Sequence, residues 1–400
     1  MIKKKLKGHP LDEDEFFEIV KDVVDDRLTD IEKTYFVSAC YNHELSIDET
    51  IYFTKAMVNT GDVLKFKGLV ADKHCIGGVA GNRTTAFVVP IIAAAGYTMP
   101  KTSSRSITSP AGTADTIEVL ANVSLSPNKI KEVVRETNAC MVWGGGLSIV
   151  PSDSKLIRIE HSISLDPIGQ MIASVLAKKI AMGATHCLID IPVGKGAKVE
   201  TRRKAIFLKK RFIKVANALN LKLKVLITDG SEPIGNGIGP ALEARDLLWT
   251  LGNHPLASKQ LRDKGVNLAG QLLKLLGEKH PFELANKLLE DGSALRKFNE
   301  ILKAQGLIEN QAKKIKLGKF VTGLKSDVSG KIKHIDNHFI STLAKIAGAP
   351  SDKGAGVYIN FHKGRSISKG DVLLKIYSES KDKLNDAYKF ASNHEIFIIK

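Results

Sequence analysis

From about Leu64 onward one arrangement recurs: a short β-rich stretch, a loop rich in glycine or hydroxyl residues, then an apolar helical pattern. Lys67 to Asp72 leads through Gly77, Gly78 and Gly81 into a helix from Thr84 to Ala95, which Gly96 closes. Tyr97 to Thr102 leads through a Ser/Thr-rich loop into a helix from about Thr113. Cys187 to Ile191 and Lys224 to Thr228 are further short strands, each running into a glycine-rich loop. Strands that alternate with helices are joined by crossovers, which predicts a mainly parallel sheet covered by helices. In such a sheet the loops open along the carboxyl edge of the strands, where ligands bind.

The two ends of the chain read differently. Phe16, Ile19, Val20, Val23 and Val24 recur at helical spacing behind the acidic turn Asp12 to Glu15. Thr29-Asp30 caps a second apolar run, and Ser46 or Asp48 starts a third helix that stops at Gly61. Short connectors make these three helices antiparallel neighbours, and the amphipathic stretch Ile168 to Met182 is expected to return to their layer. Near the carboxyl end, Val357 to Phe361 and Val372 to Tyr377 flank Lys369-Gly370-Asp371 and suggest a small α+β unit. The expected fold class is therefore α/β. A small helical domain accompanies a larger, mainly parallel-sheet α/β domain and a small α+β C-terminal unit.

Composition narrows the classes further. Hydrophobic residues at 43% and charged residues at 26% are ordinary values for a globular protein, which excludes disorder and collagen-like structure. Met1-Ile2-Lys3-Lys4-Lys5 has the positive start of a signal peptide, but no apolar stretch follows it. The most apolar segment, Phe87 to Gly96, is about half of the ~20 residues that a membrane span needs. Cys40, Cys75, Cys140 and Cys187 show no C-x-x-C pairing, which fits a reducing, cytoplasmic location without zinc or disulfides. The net charge of +16 suits anionic substrates or nucleic acid. Its lysines are scattered and form no arginine-rich arm, so nucleic acid is not the expected partner.

Three segments carry candidate chemistry. In Asp72-Lys73-His74-Cys75-Ile76-Gly77-Gly78-Val79-Ala80-Gly81-Asn82, a strand ends beside a cation and three glycines lead to a helix N-terminus. Glycines let backbone N–H groups approach an anion, the helix dipole adds positive potential, and Lys73 adds a full charge. Neither a P-loop nor a strict G-x-G-x-x-G spacing is present, which weakens ATP and dinucleotide readings. A tight turn packing helix on strand would look the same. The second segment, Ser103 to Asp115, offers many hydroxyls and Arg105 for a second phosphate, although a surface loop is also rich in Ser and Thr. The third, Arg158 to Pro167, runs into the helix that carries Ser174, Lys178 and Lys179. There Asp166 before Pro167 reads as a helix N-cap, and the two lysines as its solvated side. Trp143-Gly144-Gly145-Gly146 reads as a hinge or turn, and Lys195-Gly196-Ala197-Lys198 as a further cationic loop at the sheet edge.

Taken together, Lys73-His74-Cys75-Ile76-Gly77-Gly78, the Ser104 to Thr113 loop and Ser174-Val175-Leu176-Ala177-Lys178-Lys179 resemble the thymidine/pyrimidine nucleoside phosphorylase family. Their order and spacing match from Leu11 to the C-terminus. Within that family, Ala80-Gly81-Asn82, Ser104 to Thr113 and Ser164-Leu165-Asp166-Pro167 are similar to the archaeal-type AMP phosphorylase branch. The nucleoside enzymes have a glycine/histidine-rich loop in place of Ser106 to Ala111 and a lysine in place of Thr116. That branch usually carries an additional N-terminal domain used in assembly, and this chain starts after it.

The resemblance implies that Gly78, Ser104, Arg105, Ser106, Ile107, Thr108, Ser109, Thr113, Ser174 and Lys198 bind the nucleotide. Lys73, Gly77 and Gly78 would bind inorganic phosphate, a co-substrate, and Asp166 would be the catalytic proton donor. No cofactor, no metal and no membrane are implied, and a homodimer is expected. It also implies a helical domain of residues 1–65 with 151–183, an α/β domain of 66–150 with 184–330, and a C-terminal subdomain of 331–400. The expected reaction is phosphorolysis of AMP to adenine and ribose 1,5-bisphosphate, with CMP and UMP as further candidate substrates. A pyrimidine nucleoside phosphorylase is the alternative. A phosphoribosyltransferase is disfavoured because no acidic pair is placed to hold magnesium.

Overall fold

The computed structural model describes residues 1–106 and 109–400. The chain divides into two compact units. The first comprises Met1–Asp72, Gly144–Cys187 and Phe207–Val225. Its three long N-terminal helices, Glu13–Val24, Asp30–Asn42 and Ile47–Asn59, each begin at a capping box. Asp12, Thr29 and Ser46 accept from the backbone N–H three residues on, and Glu15, Glu32 and Glu49 reach back to the cap. Each box satisfies two donors that the first turn would otherwise leave open. The third helix thus starts at Ser46, with Asp48 inside its first turn.

The apolar faces of these helices meet at Phe16, Phe36 and Phe53, all fully buried. The Phe53 ring lies 5.5 Å from that of Phe16 and 5.8 Å from that of Phe36. A short helix, Ile2–Leu6, precedes them and was not predicted. Its lysine-rich sequence has little apolar pattern, and what fixes it is tertiary. Lys5 forms a buried ion pair of 2.6 Å with Glu49, and Lys4 a partly exposed one of 2.6 Å with Glu15. The predicted helix at Ile168 is present as Ile168–Ala181 and packs on Ile47–Asn59. Gly169 permits the close approach, since a Cβ there would stand 2.6 Å from Leu45 Cβ. Its lysines are not simply solvated. Lys179 is buried in an ion pair of 3.1 Å with Asp72, and Lys178 donates to Asp153 at 3.0 Å.

The second unit comprises Lys73–Trp143, Leu188–Ile206 and Leu226–Lys400. Strand His186–Val193 is central in a three-stranded sheet, between Ala71–Cys75 and Lys222–Asp229. Met99–Ser103 pairs in parallel with Ala139–Trp143, Met99 facing Ala139 and Ser103 facing Trp143. The first of these strands begins at Ala71, four residues later than predicted. A hydrophobic reading stops a strand at Asp72 and Lys73, yet both charges are buried here with partners, so the strand runs through them. Helix Thr84–Ala94 is buried along nearly its whole length despite Pro90. Gly265 of helix Lys259–Leu276 meets the Phe87 ring so closely that a Cβ would come within 2.2 Å of it.

Towards the C-terminus an antiparallel four-stranded sheet runs Gly237–Ile238, Gly356–Ile359, Val372–Ser378, Phe320–Lys325. A three-stranded antiparallel sheet joins Ser366–Ile367, Gly330–Ile335 and Phe397–Ile399. Helices Asn337–Ile346 and Lys381–Asn393 complete this core. The α/β class with a helical part and a C-terminal α+β part is therefore as expected. Among the described residues no helix is long and apolar enough to cross a membrane.

Truncating the aromatic cluster tests the helical core. Phe53→Ala is expected to lower the unfolding free energy by about 3–5 kcal/mol. Urea melts followed by circular dichroism would read the loss.

Candidate active site

The glycine loop begins on strand Ala71–Cys75. Lys73 is completely buried, and its Nζ donates to Thr84 Oγ1 at 2.8 Å and to Thr85 Oγ1 at 3.1 Å. The two threonines open helix Thr84–Ala94, and Thr84 Oγ1 in turn donates to Asn82 Oδ1 at 2.7 Å. The ammonium therefore sits beneath the first turn of a helix, where its charge adds to the dipole. Gly77 and Gly78 both take a positive φ, +96° and +84°, which a residue with a side chain rarely adopts. Around Gly77 there is open space where a side chain would stand, whereas a Cβ on Gly78 would lie 2.0 Å from the backbone nitrogen of Lys198. The fold thus brings Gly78 and Lys198 side by side, and the Lys198 side chain is exposed. A buried cation, a helix N-terminus and bare glycine backbone are the components of an anion site. Thr84 and Thr85 were missed by the sequence reading. The available signal was their position, two hydroxyls at the first turn after paired glycines.

The hydroxyl-rich loop is organised by Asp115, a residue with no assigned role in the sequence reading. Asp115 Oδ2 accepts from Ser106 N at 2.7 Å and from Gly112 N at 2.9 Å, and Oδ1 accepts from Arg105 at 3.2 Å. Gly112 is pressed against Ser104, with only 2.5 Å between a Cβ there and the Ser104 carbonyl oxygen. Ser109 Oγ donates to Ala111 O at 2.9 Å, and the Ser106 hydroxyl to Ser109 O. Ser104 is exposed, and half-buried Thr113 is the first residue of helix Thr113–Glu118. Ile107 and Thr108 lie outside the described residues. Arg105, read as a phosphate ligand, is engaged by Asp115 and by Glu118 at 2.8 Å and lies over the Trp143 ring at 4.9 Å. Hydrogen bonding from Arg105, together with Lys353, holds the Glu118 carboxyl down at about 2. Here Arg105 braces the loop.

A buried carboxylate joins these two strand–loop–helix junctions. Glu243, on helix Pro240–Leu251, accepts from Thr116 of the hydroxyl-loop helix at 3.2 Å. It also stands 3.8 Å from Arg83, the residue that precedes helix Thr84–Ala94. One buried side chain thus lies next to residues of both candidate anion sites, a coupling by contact alone.

Asp166 and Ser174 belong to the first unit. Helix Ile168–Ala181 takes Pro167 as its N-cap, so Asp166 lies one residue before the cap position that the sequence reading gave it. The Asp166 side chain is exposed, and Ser174 is half-buried within the same helix. The capping assignment is corrected on this point.

Three family descriptions fit this architecture. "Glycosyl transferase family, a/b domain" matches residues 67–295, and "Glycosyl transferase family, helical bundle domain" matches residues 1–61. "Pyrimidine nucleoside phosphorylase C-terminal domain" matches residues 331–396. The chain belongs to this glycosyl transferase family. Full-length relatives agree. An AMP phosphorylase of Methanococcus vannielii is 44% identical over 394 residues, covering 98% of this chain and 78% of that protein. The AMP phosphorylase of Methanocaldococcus jannaschii is 44% identical over 393 residues, covering 98% and 78%. A Legionella pneumophila (strain Corby) protein named "Putative thymidine phosphorylase" is 44% identical over 399 residues, covering 99% and 76%. Among solved structures, anthranilate phosphoribosyltransferase (TrpD) from Thermus thermophilus superposes with a TM-score of 0.63 at 15% identity. The match covers 76% of this chain and 98% of that one, a likeness of fold. The chain is an enzyme of this family.

Glu243 offers a test of the coupling. Burial pushes its carboxyl up to about 7 from the ordinary 4.5, against the opposing pull of Arg83. A group that binds its proton more tightly when folded contributes stability that is complete below the unfolded value and lost as pH rises through the folded one. For Glu243 that window runs from 4.5 to about 7. Glu243→Gln is neutral throughout. Its melting temperature is expected to fall less than that of the wild type between about pH 4.5 and about pH 7. Parallel pH profiles would show that Glu243 does not titrate in this window.

Proposed function

We propose that the enzyme cleaves the N-glycosidic bond of a nucleoside 5′-monophosphate with inorganic phosphate, AMP giving adenine and ribose 1,5-bisphosphate. The observation that carries this reading is the pair of anion-type junctions linked by Glu243. One has a buried lysine under a glycine turn, the other a hydroxyl loop tied down by Asp115. A reaction between inorganic phosphate and a phosphorylated nucleoside requires two such places. The names of the Methanococcus and Methanocaldococcus relatives support AMP as the substrate.

In this reading Lys73, Gly77 and Gly78 hold the attacking phosphate, with Thr84 and Thr85 completing its surroundings. Gly78, the Ser104 to Ser109 loop that Arg105 braces, Thr113, Ser174 and Lys198 bind the nucleotide. A phosphate oxygen forms a bond to C1′ as the C1′–N bond breaks, and positive charge grows on the sugar in between. Phosphate is both nucleophile and countercharge, so the loop supplies positioning and electrostatics. The departing adenine takes a proton from Asp166, the general acid. A second reading, nucleoside phosphorolysis, is favoured by the name of the Legionella relative.

Incubation with AMP and phosphate, in parallel with thymidine and phosphate, separates the two. Adenine by chromatography and ribose 1,5-bisphosphate by ³¹P NMR are expected from AMP alone, and thymine release with AMP inert would replace the first reading by the second. Asp166→Asn is expected to leave the melting temperature unchanged and to lower turnover by about 10²-fold or more. An active variant would remove Asp166 from the mechanism.

A further inference from the structure

Arg83 heads the largest fully buried side chains among the described residues, with 1% of its side chain exposed. A guanidinium cannot shed its charge, so burying one requires fixed acceptors on several sides. It has them. One terminal nitrogen donates to Asp246 Oδ2 at 2.9 Å, and the other to the carbonyl oxygen of Gly237. Nε makes no hydrogen bond among the described residues and stands 3.8 Å from Glu243. The same Asp246 oxygen accepts from Asn236 N at 2.9 Å and from Gly237 N at 2.7 Å.

The cation also touches backbone on both sides. A Cβ on Gly81 would stand 2.8 Å from one terminal nitrogen, and a Cβ on Gly235 would stand 2.6 Å from the other. Both glycines take a positive φ, +70° and +79°. Next to them Ile234 N donates to Ala80 O at 3.0 Å. The guanidinium is thus a rivet between residues 234–237 and the glycine loop. Its own Cα immediately precedes Thr84 and Thr85, the partners of Lys73.

We propose that Arg83 is a positioning residue for the attacking phosphate, an internal cation that fixes the glycine loop and the first turn of helix Thr84–Ala94. It is sealed from solvent and acts through Gly77, Gly78, Thr84 and Thr85. This rests on the phosphorylase reading above. It predicts that loosening Arg83 weakens phosphate selectively, because the nucleotide loop is braced separately by Asp115 and Arg105.

The test compares wild type with Arg83→Lys by titration calorimetry of inorganic phosphate and by steady-state kinetics with AMP. Lysine keeps the charge that Asp246 needs, yet a single ammonium lacks the planar fork that reaches Asp246 and the Gly237 carbonyl together. Phosphate Kd and phosphate KM are expected to rise about tenfold. The KM for AMP should stay within about twofold, a difference worth under half a kcal/mol. A lower melting temperature with phosphate Kd and KM unchanged would mean that Arg83 only stabilises the fold, and the proposal would be overturned. If Arg83→Lys does not fold, Arg83→Met combined with Asp246→Asn, which leaves no unpaired buried charge at that contact, is measured in the same way. Failure of both to fold would make Arg83 a general determinant of folding and would also overturn the proposal. Wild-type protein that neither binds phosphate nor cleaves AMP would sink the functional reading and this proposal with it. That outcome is recognised without any variant.

Discussion

Asp246 receives three donors at one oxygen, from the Arg83 guanidinium and from the backbone of Asn236 and Gly237, in a site shut off from water. A carboxylate in such surroundings is stable only while all of its donors stay in place, and removing one leaves a buried charge exposed to a low dielectric. The three donors come from two segments far apart in sequence, so the ion pair decides how those segments meet. The geometry of the glycine loop follows from it. Gly81 and Gly235 are required because the guanidinium and a backbone carbonyl occupy the space that side chains would fill.

Buried ionisable groups recur around the glycine loop of the second unit. Lys73 lies under a helix N-terminus between two threonine hydroxyls, and Glu243 lies between Arg83 and Thr116. Such groups cost free energy to desolvate, and a well-packed apolar core would be at least as stable. In the proposed reaction their arrangement has a chemical use instead. Charge held rigidly without water is worth more to an incoming phosphate than the same charge on a mobile surface lysine. The net charge of +16 is a weaker clue, since most of it is spread over solvated side chains.

Much of the architecture was legible in the sequence for local reasons. Ser46 with Glu49 and Thr29 with Glu32 announce helix starts because the capping partners lie three residues apart. The strands at His186–Val193 and Lys222–Asp229 are β-branched runs followed by glycine, and a helix at Thr113 follows a hydroxyl loop. Reading failed where distant partners decide. Helix Ile2–Leu6 depends on ion pairs to Glu49 and Glu15, and strand Ala71–Cys75 on partners that let it bury Asp72 and Lys73. Arg105 was visible as a cation in a loop, but nothing local marked Asp115 and Glu118 as its partners.

The sequence by itself determined the fold class, the starts of the capped helices and the family, because glycines, hydroxyls and caps act over a few residues. Tertiary structure alone decided which charges are buried and what each one faces. Asp246 lies far along the chain from Arg83, as does Glu243 from Thr116 and Lys179 from Asp72. No period or spacing in a sequence records a contact of that range. Only when the chain has folded does water leave these groups, and only then do their charges act at the strength that a low dielectric allows.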